Sequence, residues 1–283
     1  MNTKSTYTYR RKYRLASLAV LLRNALVCEK ICKVDRSEGK YIDSPYGSQP
    51  TTVVQDIVGT YATAAWTTTA DTLEVTDEFV VAEHVYDFEE VLTAFDVMAS
   101  RLDEQNYSVA AAIDSFVLNE LCETGTGTYT TPVGGFNTAA NINIIMSNLL
   151  SKVAGYESAY KGTYLVIENV DMPGFLQAQA TNGFNFADKA LNNGFFTNYM
   201  GVDIYVVRDG LFITDTVGTK TWSNDEHRVF GVKGTSTYAA PRKVRYDEKS
   251  VAAKTGKEIV TWGYIGFKNW APKITLTVDI TLA

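Results

Sequence analysis

Residues 51 to 85 constrain this chain more than any other stretch. Thr51 to Thr69 and Thr72 to Val85 read as two long strands joined near Ala70-Asp71, with Thr, Val and Ala through the first and alternating Leu73, Val75, Phe79 and Val81 in the second. A two-stranded ribbon is marginal in water and presents open edges. With so few bulky residues this hairpin closes no core of its own, so it needs a partner surface, and Trp66 near its far end is the natural anchor.

The elements around it are conventional. Asp87 opens a helix with Glu90 as its capping-box partner and Phe88, Val91, Leu92, Phe95 and Met98 as an apolar stripe. A second helical stretch from Ser108 lines up Val109, Ala112, Ile113, Phe116, Val117 and Leu121 before Gly125 stops it; Gln105-Asn106-Tyr107 either breaks or kinks the pair. From Asn137 or Thr138 a further helix runs through Ile142, Ile145, Leu149 and Val153. Then come a buried-type strand, Thr163 to Glu168, a short helix with Asp171 at its cap and Pro173 in its first turn, and a second core strand, Gly201 to Val207. This alternation marks a compact α/β unit over about 137 to 257. The chain closes on two strands, Glu258 to Phe267 and Lys273 to Leu282, with Pro272 at their joint.

Charge is distributed unevenly. The net charge of -6 hides ten Lys or Arg against three acids in residues 1 to 40, and fourteen acids against the single Arg101 in residues 71 to 123. The first fifty residues look like an extension that buries little by itself: a basic amphipathic helix near Leu15 to Lys33, then Gly, Ser and Pro up to Pro50. Arg10, Arg11, Lys12 and Arg14 suit nucleic acid or the acids of a neighbouring copy equally well, Glu74, Asp77 and Glu78 among them. The same basic residues ahead of Leu15 to Leu22 imitate a secretory signal, but Arg23, Glu29 and Lys30 continue the amphipathic pattern in place of a cleavage site. No apolar run approaches the roughly 20 residues of a membrane-spanning helix.

Chemistry is sparse. Cys28, Cys32 and Cys122 are an odd set at spacings unsuited to a disulfide framework, and His84 and His227 are too few to complete a zinc site. No phosphate loop, nucleophile elbow, His-Glu-x-x-His or calcium loop is present. Glu226-His227-Arg228 reads as a surface loop and His84 as a strand residue. No catalytic, cofactor or metal residue is assigned.

The order of elements, together with Ala111-Ala-Ile-Asp-Ser-Phe-Val-Leu118, Tyr164 to Glu168 before a Pro-bearing helix, Gly194 to Val207 leading into Arg208-Asp-Gly-Leu211, and Tyr264-Ile-Gly-Phe-Lys-Asn-Trp-Ala-Pro272, resembles the major capsid proteins of tailed bacteriophages, the Hong Kong phage fold. The resemblance spans most of the chain. It implies an α+β fold in four parts: an N-terminal arm (1–50), an extended β-hairpin loop (51–85), a peripheral domain with a long spine helix (86–136 and 258–270) and an axial α/β domain (137–257 and 271–283). It implies a non-enzymatic subunit of an icosahedral head, assembling with itself as hexamers and pentamers in the host cytoplasm. Its other partners would be a portal, a scaffolding protein separate from this Met1-headed chain, decoration proteins, and double-stranded DNA held without sequence reading, with no membrane. The interface residues would be Arg10, Arg11, Lys12, Arg14, Trp66, Glu74, Asp77 and Glu78. Deleting residues 1 to 33 is expected to abolish shells and leave a folded monomer. The founding member's lysine–asparagine weld is excluded at the matching loop, because no lysine lies between Lys40 and Lys152. Encapsulin nanocompartments share the fold; a cytosolic enzyme or sugar-binding module is the alternative from another class.

Overall fold

In the computed structural model the described residues are 27–47, 68–86, 97–125, 127–153, 162–181, 195–212, 227–241, 245–250, 255–270 and 277–283. After a one-turn helix α1 (Cys28–Ile31) and strands β1 (Lys33–Asp35), β2 (Tyr41–Gly47), β3 (Thr68–Glu74) and β4 (Asp77–Val85), a 27-residue helix α2 (Val97–Glu123) runs through the middle of the molecule. Its stripe of Val109, Ile113, Val117, Leu118, Leu121 and Cys122 is buried. Gln105-Asn106-Tyr107 neither breaks nor ends it, because Gln105 is itself buried and bonded: its Oε1 accepts from the Thr261 hydroxyl at 2.7 Å and its Nε2 donates to Glu83 at 3.2 Å. The cap at Asp87 and Glu90 lies outside the described residues.

The following elements are β5 (Gly127–Thr130), α3 (Ala139–Val153), β6 (Thr163–Glu168), α4 (Met172–Thr181), β7 (Phe195–Tyr199), β8 (Val202–Val207) and β9 (His227–Val232), and the chain closes on β10 (Ser236–Ala239), β11 (Arg245–Ser250), β12 (Lys257–Asn269) and β13 (Thr277–Thr281). Thr138 caps α3, its hydroxyl accepting the Asn141 N–H at 3.3 Å. One mixed sheet has the order β5-β13-β9-β6-β8-β7, with β6 and β8 parallel and α4 crossing between them. Both faces are covered. Tyr164, Val166, Tyr205, Val207 and Val229 pack with α2 in one apolar cluster, whereas Leu165, Ile167, Ile204, Val206 and Phe230 pack with α3 and α4 in the other. That double burial is why Thr163 to Glu168 reads as a continuous apolar run and not an alternating one.

The second sheet is organised by the 13 residues of β12, which pair with β4 along Lys257–Ile265 on one side and with β11 and then β10 on the other. Strands β10 and β11 are therefore part of this sheet. Its inward face, Phe79, Val81, Ile259, Thr261 and Ile265, lies against α2.

Two readings are corrected, the hairpin turning near Ala70-Asp71, a pair that lies inside β3 opposite Pro45 and Ser44, and the extension that buries little. The stretch 72 to 85 is broken at Val75-Thr76, and β3 pairs with β2, Tyr41 opposite Glu74 and Gly47 opposite Thr68, while β4 pairs with β12. The period-2 pattern continues through both strands and is blind to the change of partner; the Val75 N–H closes the ribbon on the Lys40 carbonyl at 2.9 Å. Residues 27 to 35 are likewise no loose extension. Val27 and Cys28 donate their N–H groups to the two Asp114 carboxylate oxygens at 3.0 Å, Ile31 and Cys32 are buried, and β1 adds parallel to β10. A deletion reaching residue 33 removes core, so it cannot leave the folded monomer expected of an arm.

Candidate assembly surfaces

The β2–β3 ribbon is rooted on β12. Leu73 is fully buried where β3 crosses Gly266, and a Cβ at Gly266 would stand 2.8 Å from the Glu74 carbonyl oxygen and 3.0 Å from Val75 Cα. Around this root Lys268 pairs with Asp71 at 3.0 Å and Lys40 with Glu74 at 2.8 Å. The Lys40 ammonium holds the Glu74 carboxyl below its ordinary value, and Lys40 is raised in return by Glu74. Gly266→Ala forces the ribbon root off β12 and is expected to cost about 1–3 kcal/mol, as overpacking does. A thermal melt checks this: the midpoint should fall about 2–4 °C per kcal/mol, and an unchanged midpoint would mean the root shifts without resistance.

The outward face of the β4–β12 pair carries a second surface. Val80 lies opposite Trp262, Ala82 opposite Val260 and Glu78 opposite Tyr264. Val80 is 52%, Tyr264 43% and Tyr86 46% exposed, and the Tyr86 ring meets His84 edge-on at 4.5 Å. An antiparallel sheet with one solvated face normally alternates apolar and polar residues. Here the middle of the solvated face is apolar and aromatic, with Glu78 at one end and His84 and Glu258 at the other.

Of the interface residues expected from sequence, Arg10, Arg11, Lys12, Arg14 and Trp66 lie outside the described residues. The other three are close together: Glu74 at the ribbon root, Asp77 at the start of β4 accepting from the Thr76 hydroxyl at 3.0 Å, and Glu78 exposed at the edge of the apolar face. Glu74 is already bound to Lys40 of its own chain.

A buried charge cluster went unread. His227 and Arg228 are not a surface loop: they begin β9, and the Arg228 side chain is wholly enclosed, at 3.2 Å from Glu168 and 2.5 Å from Asp171, with its guanidinium carbon 5.8 Å from the Phe212 ring centre. Glu168 also accepts the Gly210 N–H at 3.1 Å, Asp171 the Glu168 N–H at 3.2 Å, and exposed Asp209 the Val170 N–H at 3.2 Å. Next to it on β9, His227 Nδ1 is 2.9 Å from Asp279 on β13. The cluster ties the ends of β6, β8 and β9 to α2, since the Ser115 hydroxyl donates to Leu211 at 2.6 Å. The sequence signal was there: a glutamate ends an otherwise uncharged buried strand, and an arginine sits two residues before Phe230 in another.

Burial outweighs the guanidinium at Asp171 and raises its carboxyl above the ordinary 3.8. A raised acid favours the fold fully below its unfolded value, and that contribution is lost as pH climbs through the folded one. Asp171→Asn should therefore gain stability relative to the parent as pH rises from about 4 to neutrality; denaturant midpoints across that range check it, and a difference independent of pH would mean the carboxyl is not raised.

No group of three His, Cys, Asp or Glu among the described residues is placed to hold a metal ion. Cys28, Cys32 and Cys122 are free and buried, and burial pushes all three thiols well up, away from nucleophilic use. Among the described residues no helix is long and apolar enough to cross a membrane.

No protein-family model matches the sequence, and no curated protein is recognisably similar to it. The fold is shared. The capsid structure of the cyanophage P-SCSP1u superimposes with a TM-score of 0.66 at 15% identity, over 99% of this chain and 93% of that one. The capsid of a native GTA particle gives 0.64 at 13%, over 100% and 95%. A virus-like particle from Pyrococcus furiosus gives 0.60 at 12%, over 93% and 96%. The α+β architecture is that of phage major capsid proteins.

Proposed function

We propose that this chain is the major capsid subunit of a tailed double-stranded DNA bacteriophage, a structural protein that assembles with copies of itself into an icosahedral head. The observation that carries the reading is the length of the structural match: nearly all of this chain superimposes on nearly all of the cyanophage capsid chain. The apolar face of β4–β12 supports it, because Val80, Tyr86 and Tyr264 are left exposed by the described residues of one copy.

In this reading residues 1 to 26 are the arm, β2 and β3 the base of the extended loop, the β12 sheet with α2 the peripheral unit, and the six-stranded sheet with α3 and α4 the axial unit. Hexamers and pentamers are the building blocks. A portal, a separate scaffold, decoration proteins and DNA held through its phosphates are the further partners. The test is negative-stain microscopy and light scattering on the chain expressed alone and with a candidate scaffold. Closed shells, or rings of five and six, are expected; a monomer under every condition overturns the reading.

A further inference from the structure

We propose that the outward face of strands β4, β12 and β11 packs against the same face of a second copy of this chain across a two-fold axis. The inference rests on the shell reading and assigns a contact between copies of neighbouring rings.

Strand register lays this face out in four levels. In the first, Glu78 on β4 stands beside Tyr264 on β12. In the second, Val80 stands beside Trp262, with the Arg245 position of β11 beyond it; in the third, Ala82 stands beside Val260 and then Asp247. The fourth holds His84, Glu258 and Lys249. The opposite face lies on α2, whereas Val80, Ala82 and Tyr264 are left exposed by the described residues. Tryptophan and tyrosine at the middle of such a face have the composition of an interface centre.

The pattern is complementary to itself. Consider a two-fold axis parallel to the sheet, perpendicular to the strands and midway between the second and third levels. It turns the face over, reverses the strands and keeps each strand above its own counterpart, so the first level meets the fourth and the second meets the third. Glu78 then faces His84 of the second copy, the Tyr264 hydroxyl faces the Glu258 carboxylate, and Asp247 faces the Arg245 position. Trp262 meets Val260 and Val80 meets Ala82, large against small, as two sheet faces interdigitate at about 10 Å. Lys249 falls past the overlap and keeps its contact with Asp247 of its own strand, at 3.6 Å.

The charges select this register. With the axis at the third level, Asp247 faces Asp247 and the Arg245 position faces Lys249; with the axis at the second, the arginine position faces itself. Both alternatives oppose like charges, which fixes register against them. With strands about 4.8 Å and levels about 6.8 Å apart, the overlap measures roughly 10 by 20 Å, far below the roughly 800 Å² per partner of a stable complex. The contact therefore forms between copies that a shell already holds side by side, and no free dimer accompanies it.

The experiment uses the full chain with Tyr264→Cys and Glu258→Cys combined, assembled into particles and treated with a short bismaleimide. The native thiols are buried and stay silent. Linked dimers on a denaturing gel are expected, because the two positions face each other at the rim of the overlap. Neither single variant should link, since copies of one position then stand three levels, about 20 Å, apart. Glu78→Cys with His84→Cys repeats the test on β4 should the first pair disturb assembly. Particles in which neither pair links overturn the contact, and a link from either single variant overturns the register. Particles of a Val80→Cys variant whose introduced thiol reacts freely with a maleimide dye overturn the proposal and leave the shell reading intact, whereas a chain that never assembles removes both.

Discussion

Replacing Arg228 with methionine is expected to leave little cooperatively folded protein at neutral pH. The side chain is enclosed between Glu168 and Asp171, and both carboxylates are almost wholly removed from water. Taking one partner from a buried ion pair costs about 3–5 kcal/mol, because the remaining charge stays buried without compensation. Here one guanidinium serves two carboxylates, and a whole domain is stable by only about 5–15 kcal/mol. The same substitution also removes the stack on Phe212 and loosens the turn from β6 into α4, which Asp171 holds through the Glu168 N–H. Urea titration of the purified chain checks this, with a collapsed midpoint or an insoluble product as the expected result. The informative control is Arg228→Met with Glu168→Gln and Asp171→Asn. Neutral groups of similar shape should recover most of the loss, since the cost lies in uncompensated charge and not in missing volume. A single variant as stable as the parent would mean that water reaches the carboxylates.

How much of this was legible in advance divides along one physical line. Periodicity is local, so elements whose burial follows from their own sequence were readable: the α2 stripe from Val109 to Leu121, the continuously buried β6, and the helix capped at Thr138. Pairing is not local. Nothing near Asp77 to Val85 says that this strand runs beside Lys257 to Ile265, some 180 residues on, and a strand pattern read through Leu73, Val75 and Phe79 merges two strands that belong to different sheets. Charged residues fail for a related reason. Arg228 reads as part of a surface loop until tertiary structure brings it within 3.2 Å of Glu168. The interface reading stands between these cases. Sequence expects a partner for the stretch 51 to 85 because a hairpin of few bulky residues closes no core, whereas the exposed apolar residues Val80 and Tyr264 share a face assembled from two distant strands.

The arm and the core behind it can be separated by where a truncation stops. Removing residues 2 to 26 is expected to leave the described fold at its parental melting temperature and to abolish closed shells even at about ten times the concentration at which the parent assembles, a loss of at least roughly 1.4 kcal/mol per contact. Removing residues 2 to 33 should instead give no folded chain. Val27, Cys28, Ile31 and Cys32 are buried against α2 and β10, and each fully buried aliphatic side chain contributes about 1.5–3 kcal/mol. Asp114 would lose the two N–H donors that satisfy its carboxylate inside the core. Paired melting curves and electron micrographs distinguish the outcomes. Normal particles from the shorter deletion would remove the arm from assembly altogether, while a cooperative melt from the longer one would show that α1 docks on a core able to close without it. With both results as expected, seven residues separate a deletion that stops copies joining from one that stops a single copy folding.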